Sequence, residues 1–345
     1  MSPFLDRVRT SAEFVRSRAK HVSVCPSAVT ELASRMRSTL ETTDISVHKI
    51  WNDCPLNPVW GESRAGIESV EDICFWIFCI DCINFSFWHN EGEERWTIWY
   101  KDKQYTGYFA LCAAFNQAVE NGSKDILSTT FLKCVSEPQL KFLLMPQNSQ
   151  GVIPLLSERV LCLREAGRVL EEYFGGSVFR LVLECDGSLE NLVQKVVEYF
   201  PSFRDEAIYQ KQKVFFYKRA QIFAADIFAC LGQSALSFKD PDCLTMFADY
   251  RVPQILYKWG VLKYSNTLVS QLLQQLEIEQ EQEVEIRACS IAAVEMIRNE
   301  IQQSNPELFV TSQLIDYLLW NEAMTVKSCG QLDNIPFHRV RTIFY

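Results

Sequence analysis

Histidine is scarce in this chain. Its four copies, His21, His48, His89 and His338, are scattered over 345 residues, and no two stand at the spacing of a metal-ligand pair. That scarcity removes most metalloenzyme and catalytic-triad chemistries. The sequence has no GxxxxGK[ST], no GxGxxG and no GxSxG, so P-loop nucleotide hydrolysis, nicotinamide-dependent hydride transfer and serine hydrolysis all lose their usual signatures. We therefore expect neither a metal nor a cofactor. Positive charge is also short: 34 Lys and Arg stand against 43 Asp and Glu, for a net charge of -9. Neutralising phosphates over an extended footprint needs clustered Lys and Arg, so a broad nucleic-acid or anionic-membrane surface is excluded. A small anionic ligand, which one local pair of cations can hold, is not.

Long apolar runs are missing too. The most apolar stretch, DICFWIFCIDCINFSFW from Asp72 to Trp88, falls short of the roughly 20 residues a spanning helix needs and contains Asp81. It reads as a core helix followed by a strand. There is no Gly/Ser-rich or Pro-rich linker and no repeat, and the charge-rich EIEQEQEVEIR near residue 280 reads as a solvated helix start. Thirteen cysteines form an odd, dispersed set from Cys25 to Cys329, and no apolar leader follows the N-terminus. The expectation is reduced thiols and a cytoplasmic protein. With 48% hydrophobic and 22% charged residues, the chain reads as globular. It is expected to form a single domain over residues 1–345, with room for two tightly joined helical lobes and with residues 1–15 peripheral.

What the sequence does hold is mainly helical periodicity. Ser27 is expected to cap a helix whose apolar face is Val29, Leu32, Ala33, Met36 and Leu40, and Ser69 with Asp72 to open the next. The first break in the pattern is placed after Asn84. There RWTIWY and QYTGYF alternate around a KDK turn as a β-hairpin would, and the following helix stops at Asn121 and Gly122. Further helices are predicted from Glu137, over 156–174 with Gly175 and Gly176 as the stop, over 188–200 and over 218–231. Others start at Pro253 and Ser265 and cover about 284–303 and 312–323. The fold class is therefore mainly α, a compact multi-helix fold with a small antiparallel sheet. The aromatic tail IPFHRVRTIFY is expected to be packed.

Four blocks carry combinations that could do chemistry, each with a plainer explanation beside it. In LTMFADYRVP, Asp249 sits among Met246, Phe247, Tyr250 and Arg251 just before a helix-starting proline. A carboxylate buried beside rings needs a partner or a purpose, so this is either a helix-start Asp–Arg pair or a reactive acid. In NFSFW, Phe85 and Trp88 flank polar groups like the wall of a planar-ligand pocket, or else form an aromatic core strand. In FYKRAQIFAAD, Lys218 and Arg219 open a helix whose positive end could hold a phosphate, or else form a solvated basic turn. In LIDYLLWNEA, Asp316 and Trp320 share a helix face that suits a cationic or donor-bearing ligand, or an ordinary amphipathic helix. Cys74, Cys79 and Cys82 read as small core residues.

Together with EVEIRACS (283–290), YFPSFRD (199–205) and the terminal PFHRVR, these blocks resemble the queuosine salvage protein family, the queuosine 5′-phosphate N-glycosylases, in collinear order from about residue 15 to Tyr345. The resemblance implies a fold similar to helix-hairpin-helix DNA glycosylases. It also implies hydrolysis of the N-glycosidic bond of queuosine 5′-monophosphate to release queuine, with no direct nucleic-acid or membrane partner. Asp249 matches the family's catalytic aspartate, as nucleophile or as stabiliser of the charge that develops on the ribose. Phe247 and Met246, with Tyr250, would line the base pocket, and Asp316 with Trp320 would meet polar or cationic parts of the queuine. Lys218 and Arg219 are the candidates for the 5′-phosphate, and Phe85 and Trp88 for an aromatic wall.

Two positions depart from the family pattern. Before LNP, where a family histidine is expected, WNDCPLNP has Cys54, with His48 upstream as the candidate contact; after LLW, where the family often has an acid, this chain has Asn321. A nucleic-acid glycosylase and a non-catalytic base-binding protein are the competing classes. The first would need a basic face that the composition lacks. The second leaves an intact Asp249 without a task.

Overall fold

The computed structural model describes residues 3–146, 149–328, 332 and 337–345. Cys329 and the first two residues of the aromatic tail, Ile335 and Pro336, lie outside the described residues. The chain is mainly helical, with three small antiparallel sheets among the described residues. Its contacts gather into two compact units. One comprises residues 1–47, 205–221 and 240–340; the other comprises 48–204, 222–239 and 341–345. No helix among the described residues is long and apolar enough to cross a membrane.

The first unit is built on the helix Gln280–Ser304, which buries Val284, Ile286, Ala288, Ile291, Val294, Ile297 and Ile301 against the helices Asp6–Arg16 and Pro26–Thr42. Val8, Ala12 and Val15 recur at helical spacing on the first of these partners and are all buried. The long helix starts a turn earlier than periodicity predicts, because Glu279 and Gln282 form a reciprocal capping box. Its charge-rich start is only partly solvated. Glu285 is fully buried, where its carboxylate accepts the backbone N–H groups of Lys20, His21 and Val22 and the Tyr209 hydroxyl. The helix after Val24 is capped at Cys25 rather than Ser27, since Pro26 occupies its first turn.

Two strand pairs of this unit were not legible. Val22–Val24 pairs antiparallel with Leu262–Tyr264, so the helical pattern first breaks well before Asn84. Glu206–Tyr209 and Gln212–Phe215 form a hairpin whose turn residues, Gln210 and Lys211, both take positive φ. Neither is the Asn or Gly that normally announces such a turn. The unit is completed by the helices Val252–Lys258, Asn266–Leu273 and Ser312–Ser328.

In the second unit, Ser69 caps the helix Val70–Cys82 by accepting the Asp72 N–H at 3.1 Å. Phe78 of that helix lies among Phe200, Phe203 and Phe223, with centroids 5.2–6.0 Å away. Cys74, Cys79 and Cys82 are buried in the same helix. The hairpin Thr97–Tyr100/Lys103–Thr106 turns through Lys101 and Asp102, both at positive φ, and Ser149–Gln150 adds a third strand. The helices Tyr108–Glu120, Glu137–Leu144, Leu156–Phe174 and Leu189–Tyr199 fall close to their predicted bounds. Their caps explain why: a Ser136/Gln139 capping box, Gly175 in the left-handed region, and Ser188 accepting the Asn191 N–H.

The stretch Asn84–Trp88 is not the strand expected after the core helix. The buried guanidinium of Arg159 donates to the carbonyls of Ile83 and Phe85 and lies over the Phe85 and Phe87 rings. Ser86, at φ 44°, takes its partners from the C-terminal tail: its N–H donates to the Tyr345 carbonyl at 2.9 Å and its hydroxyl to the Thr342 carbonyl at 2.8 Å. With these backbone groups satisfied by a side chain and by the tail, no ladder forms. Tyr345 is buried, so the aromatic tail is packed to its last residue.

Candidate active site

The loop 244–251 runs without regular structure up to the helix Val252–Lys258. Asp249 ends that loop with one carboxylate oxygen committed: Oδ1 accepts the Arg251 N–H at 2.8 Å and the Val252 N–H at 2.9 Å. The carboxylate thus holds the start of the helix through the backbone N–H groups of Arg251 and Val252. Among the described residues both protein hydrogen bonds to the carboxylate go to Oδ1, and the side chain keeps partial solvent access. The second oxygen, Oδ2, therefore remains available. The Arg251 guanidinium donates to Gln254 Oε1 at 2.9 Å and lies over the rings of Tyr250 and Phe337. Burial pushes the Asp249 carboxyl above its ordinary range, while the Lys218 charge and the two backbone N–H groups pull it back.

Asp316, on the helix Ser312–Ser328, is fully enclosed and accepts the Phe247 N–H at 3.0 Å through Oδ1. Burial, followed by the Asp249 charge, raises its carboxyl well above the usual carboxylate range, against a weaker pull from the Phe247 N–H and Lys218. Two carboxyls whose surroundings push them unequally give up their protons in separate steps. Both carboxyls are raised, Asp316 the more strongly, so Asp316 holds its proton more tightly than Asp249 does. Lys218 is the cation whose field acts on both. It is buried, as is Arg219, so this helix start is not a solvated basic turn.

The start of the helix Lys218–Leu231 is held from outside its own sequence. Asp205 Oδ2 accepts the Lys218 N–H at 3.2 Å, and the Asp205 carbonyl accepts the N–H groups of Phe216 and Tyr217. The same carboxylate forms a two-pronged ion pair with Arg287, at 3.0 Å from NH1 and 2.5 Å from NH2, with both side chains almost completely buried. Arg287 Nε donates to the Ala248 carbonyl at 2.9 Å, and its guanidinium lies 3.9 Å from the centre of the Phe216 ring. His338 is enclosed near Arg287; burial, with that charge, pushes its imidazole down to about 3, so it is neutral at any working pH.

The first unit therefore brings together Asp249, Asp316, Lys218, Phe247, Met246 and Tyr250. Met246 and Phe247 are buried, and the Phe247 ring meets Tyr317 edge-on at 6.0 Å. Trp320 stands one turn beyond Asp316 and is half-buried, while Asn321 is exposed. The remaining candidates, His48, Phe85 and Trp88, are buried in the second unit. His48 Nδ1 lies 3.0 Å from the Ala229 carbonyl and the ring packs edge-on against Phe228; burial lowers its pKa. Trp88 is covered by Arg341, which also donates to the Trp88 carbonyl at 2.8 Å. Burial pushes the Cys54 thiol up, so it stays protonated. No cluster of three His, Cys, Asp or Glu side chains that could hold a metal occurs among the described residues.

Sequence reasoning missed Asp205 and Arg287 as site residues. A signal existed for Arg287: it is the one positive charge inside the run VEIRACSIAAV, and a charge on a fully buried helix requires a buried partner. Nothing in the local sequence points from Asp205 to that partner, which lies 82 positions away.

Residues 66–345 match the profile of a family described as Queuosine salvage protein. Over nearly its whole length the chain is also similar to curated proteins named Queuosine 5′-phosphate N-glycosylase/hydrolase. It is 37% identical to that of Nematostella vectensis over 98% of both chains, and 37% identical to that of Mus musculus over 98% of both. Similarity to that of Schizosaccharomyces pombe is 34%, over 99% of this chain and 100% of the relative.

Proposed function

Because the chain belongs to the queuosine salvage protein family, we propose that it hydrolyses the N-glycosidic bond of queuosine 5′-monophosphate and releases queuine, with Asp249 as the carboxylate that meets the developing ribosyl cation. The observation that supports Asp249 is its divided hydrogen bonding. Two backbone N–H groups fix Oδ1 while Oδ2 stays available, and the neighbouring carboxyl of Asp316 is raised well above its ordinary range. A fixed, partly desolvated anion stabilises an oxocarbenium-like state far more than it stabilises the neutral sugar. Removing it should cost several kcal/mol of barrier, or roughly a thousandfold in rate.

In this reading the C1′–N bond breaks with its electron pair going to the base. Water supplies the hydroxyl at C1′, and the base takes up a proton. Queuine is a 7-deazapurine, so the ring position that purine hydrolases commonly protonate is a carbon. The sugar side must therefore carry more of the catalysis, which suits an acid that acts through charge. Asp316, whose carboxyl is raised well above its ordinary range, passes its proton to the neutral secondary amine of queuine, so that a carboxylate–ammonium pair forms. Phe247, Met246 and Tyr250 line the base side, with Trp320 and Asn321 as further substrate contacts.

Lys218 is the internal counter-charge of the two acids as well as a candidate for the 5′-phosphate, together with Arg219. We also assign the chain a helix-hairpin-helix glycosylase-like arrangement, free nucleotide rather than nucleic acid as its ligand, and a cytoplasmic setting. The test is to incubate the purified chain with queuosine 5′-monophosphate, unphosphorylated queuosine and guanosine monophosphate. Queuine release from the first, well above the other two, is the expected result. Release from none of the three overturns the assignment.

A further inference from the structure

We propose that the buried Arg287–Asp205 ion pair is the positioning device of this site, fixing the peptide that carries Asp249 and the helix start that carries Lys218 in one geometry. The contacts form a connected chain within the first unit. From Arg287, Nε reaches the Ala248 carbonyl, which belongs to the peptide bonded to Asp249. From the same guanidinium, two N–H groups reach Asp205. Asp205 in turn receives the Lys218 N–H on its carboxylate and those of Phe216 and Tyr217 on its carbonyl. The Lys218 charge, at the end of these contacts, lowers the carboxyls of Asp249 and Asp316 against their burial.

Stability alone does not account for such a pair. The desolvation cost of a buried ion pair commonly equals or exceeds its attraction, and an apolar pair of the same volume often serves stability better. What guanidinium offers is a rigid fork whose donors leave in fixed directions, and this fork uses Nε toward one catalytic element while NH1 and NH2 serve the other. Phe216 under the guanidinium plane fixes its tilt. A lysine could still neutralise Asp205 but could not also reach Ala248 along a set direction. Enzymatic rate is sensitive to misplacement of about 1 Å, so loss of the fork should act on the chemical step.

The inference rests on Asp249 being the catalytic carboxylate, and the experiment separates the two claims. Arg287→Lys and Asp205→Asn are compared with wild type and Asp249→Asn for kcat, KM, the pH profile of kcat and thermal unfolding. For the variants that melt cooperatively we expect kcat down about 10- to 100-fold, KM within about threefold, and a displaced acid limb; a double variant should lose no more than the worse single. In Arg287→Ala, added guanidinium ion should restore part of kcat. Wild-type kcat and pH profile in a folded Arg287→Lys or Asp205→Asn, with Asp249→Asn inactive, overturn the positioning role alone. Losses that merely follow the unfolded fraction, with no guanidinium rescue, overturn it as well. An Asp249→Asn variant as active as wild type removes the catalytic reading and this inference together.

Discussion

Asp316 Oδ1 accepts the Phe247 N–H at 3.0 Å, two residues before Asp249. That bond ties the helix Ser312–Ser328 to the loop bearing the second carboxylate, and the Lys218 charge acts on both acids. Burial raises both carboxyls, Asp316 the more strongly, and the difference has measurable consequences.

Asp316→Asn should keep the Phe247 N–H satisfied and remove a group that resists ionisation. An acid with a raised folded pKa binds more protons when folded than when unfolded. Its contribution is therefore full below the unfolded value and lost as pH rises toward the folded one, at up to about 1.4 kcal/mol per pH unit. Wild type should lose stability relative to Asp316→Asn as pH is raised from about 4, the range above an ordinary carboxyl. Urea unfolding of both proteins across that range checks it; parallel curves would contradict it.

In the proposed mechanism Asp249 acts as an anion, and burial raises its pKa. The acid limb of kcat should therefore fall at a higher pH than an ordinary carboxylate gives. Lys218 holds that pKa down, so Lys218→Met should move the limb further up. The same variant tests the phosphate: weaker discrimination between queuosine 5′-monophosphate and queuosine is expected, and unchanged discrimination puts the phosphate on other groups.

Arg251 serves Asp249 chiefly through its backbone N–H, its charge being the weakest of the influences on that carboxyl. Arg251→Ala preserves the N–H that Oδ1 accepts, so kcat should stay within about threefold. Loss of the Gln254 bond and of the contacts over Tyr250 and Phe337 should cost about 1 kcal/mol of stability. A hundredfold drop in kcat with an intact fold would show that the guanidinium acts on the acid directly.

Deleting residues 341–345 removes the tail groups that satisfy Ser86 and the cation that covers Trp88. We expect a loss of about 2–3 kcal/mol from the freed polar groups and the lost Tyr345 burial. A truncated chain with wild-type melting would contradict it.

Helices with a Ser cap or a Gly stop were legible because those residues act locally, as at Ser69, Ser188 and Gly175. The hairpin through Gln210 and Lys211 and the pair Val22–Val24/Leu262–Tyr264 were not, since their turn or partner carries no local signature. The aromatic run around Phe85 was misread as a strand because its backbone partners, Arg159 and the tail, are remote in sequence. In the site, Asp249, Asp316 and Lys218 stood out as charges inside apolar blocks. Asp205 and Arg287 did not, because their role depends on a contact across 82 positions.

The central claim is that Asp249 supplies the charge on which glycosidic cleavage depends. Queuine release from queuosine 5′-monophosphate by wild type and by Asp249→Asn, under single-turnover conditions near neutral pH, tests it most directly. The Asn side chain keeps an oxygen for the Arg251 and Val252 N–H groups and removes the charge, so a folded variant slower by roughly a thousandfold is expected. Release at the wild-type rate by the folded variant would contradict the account.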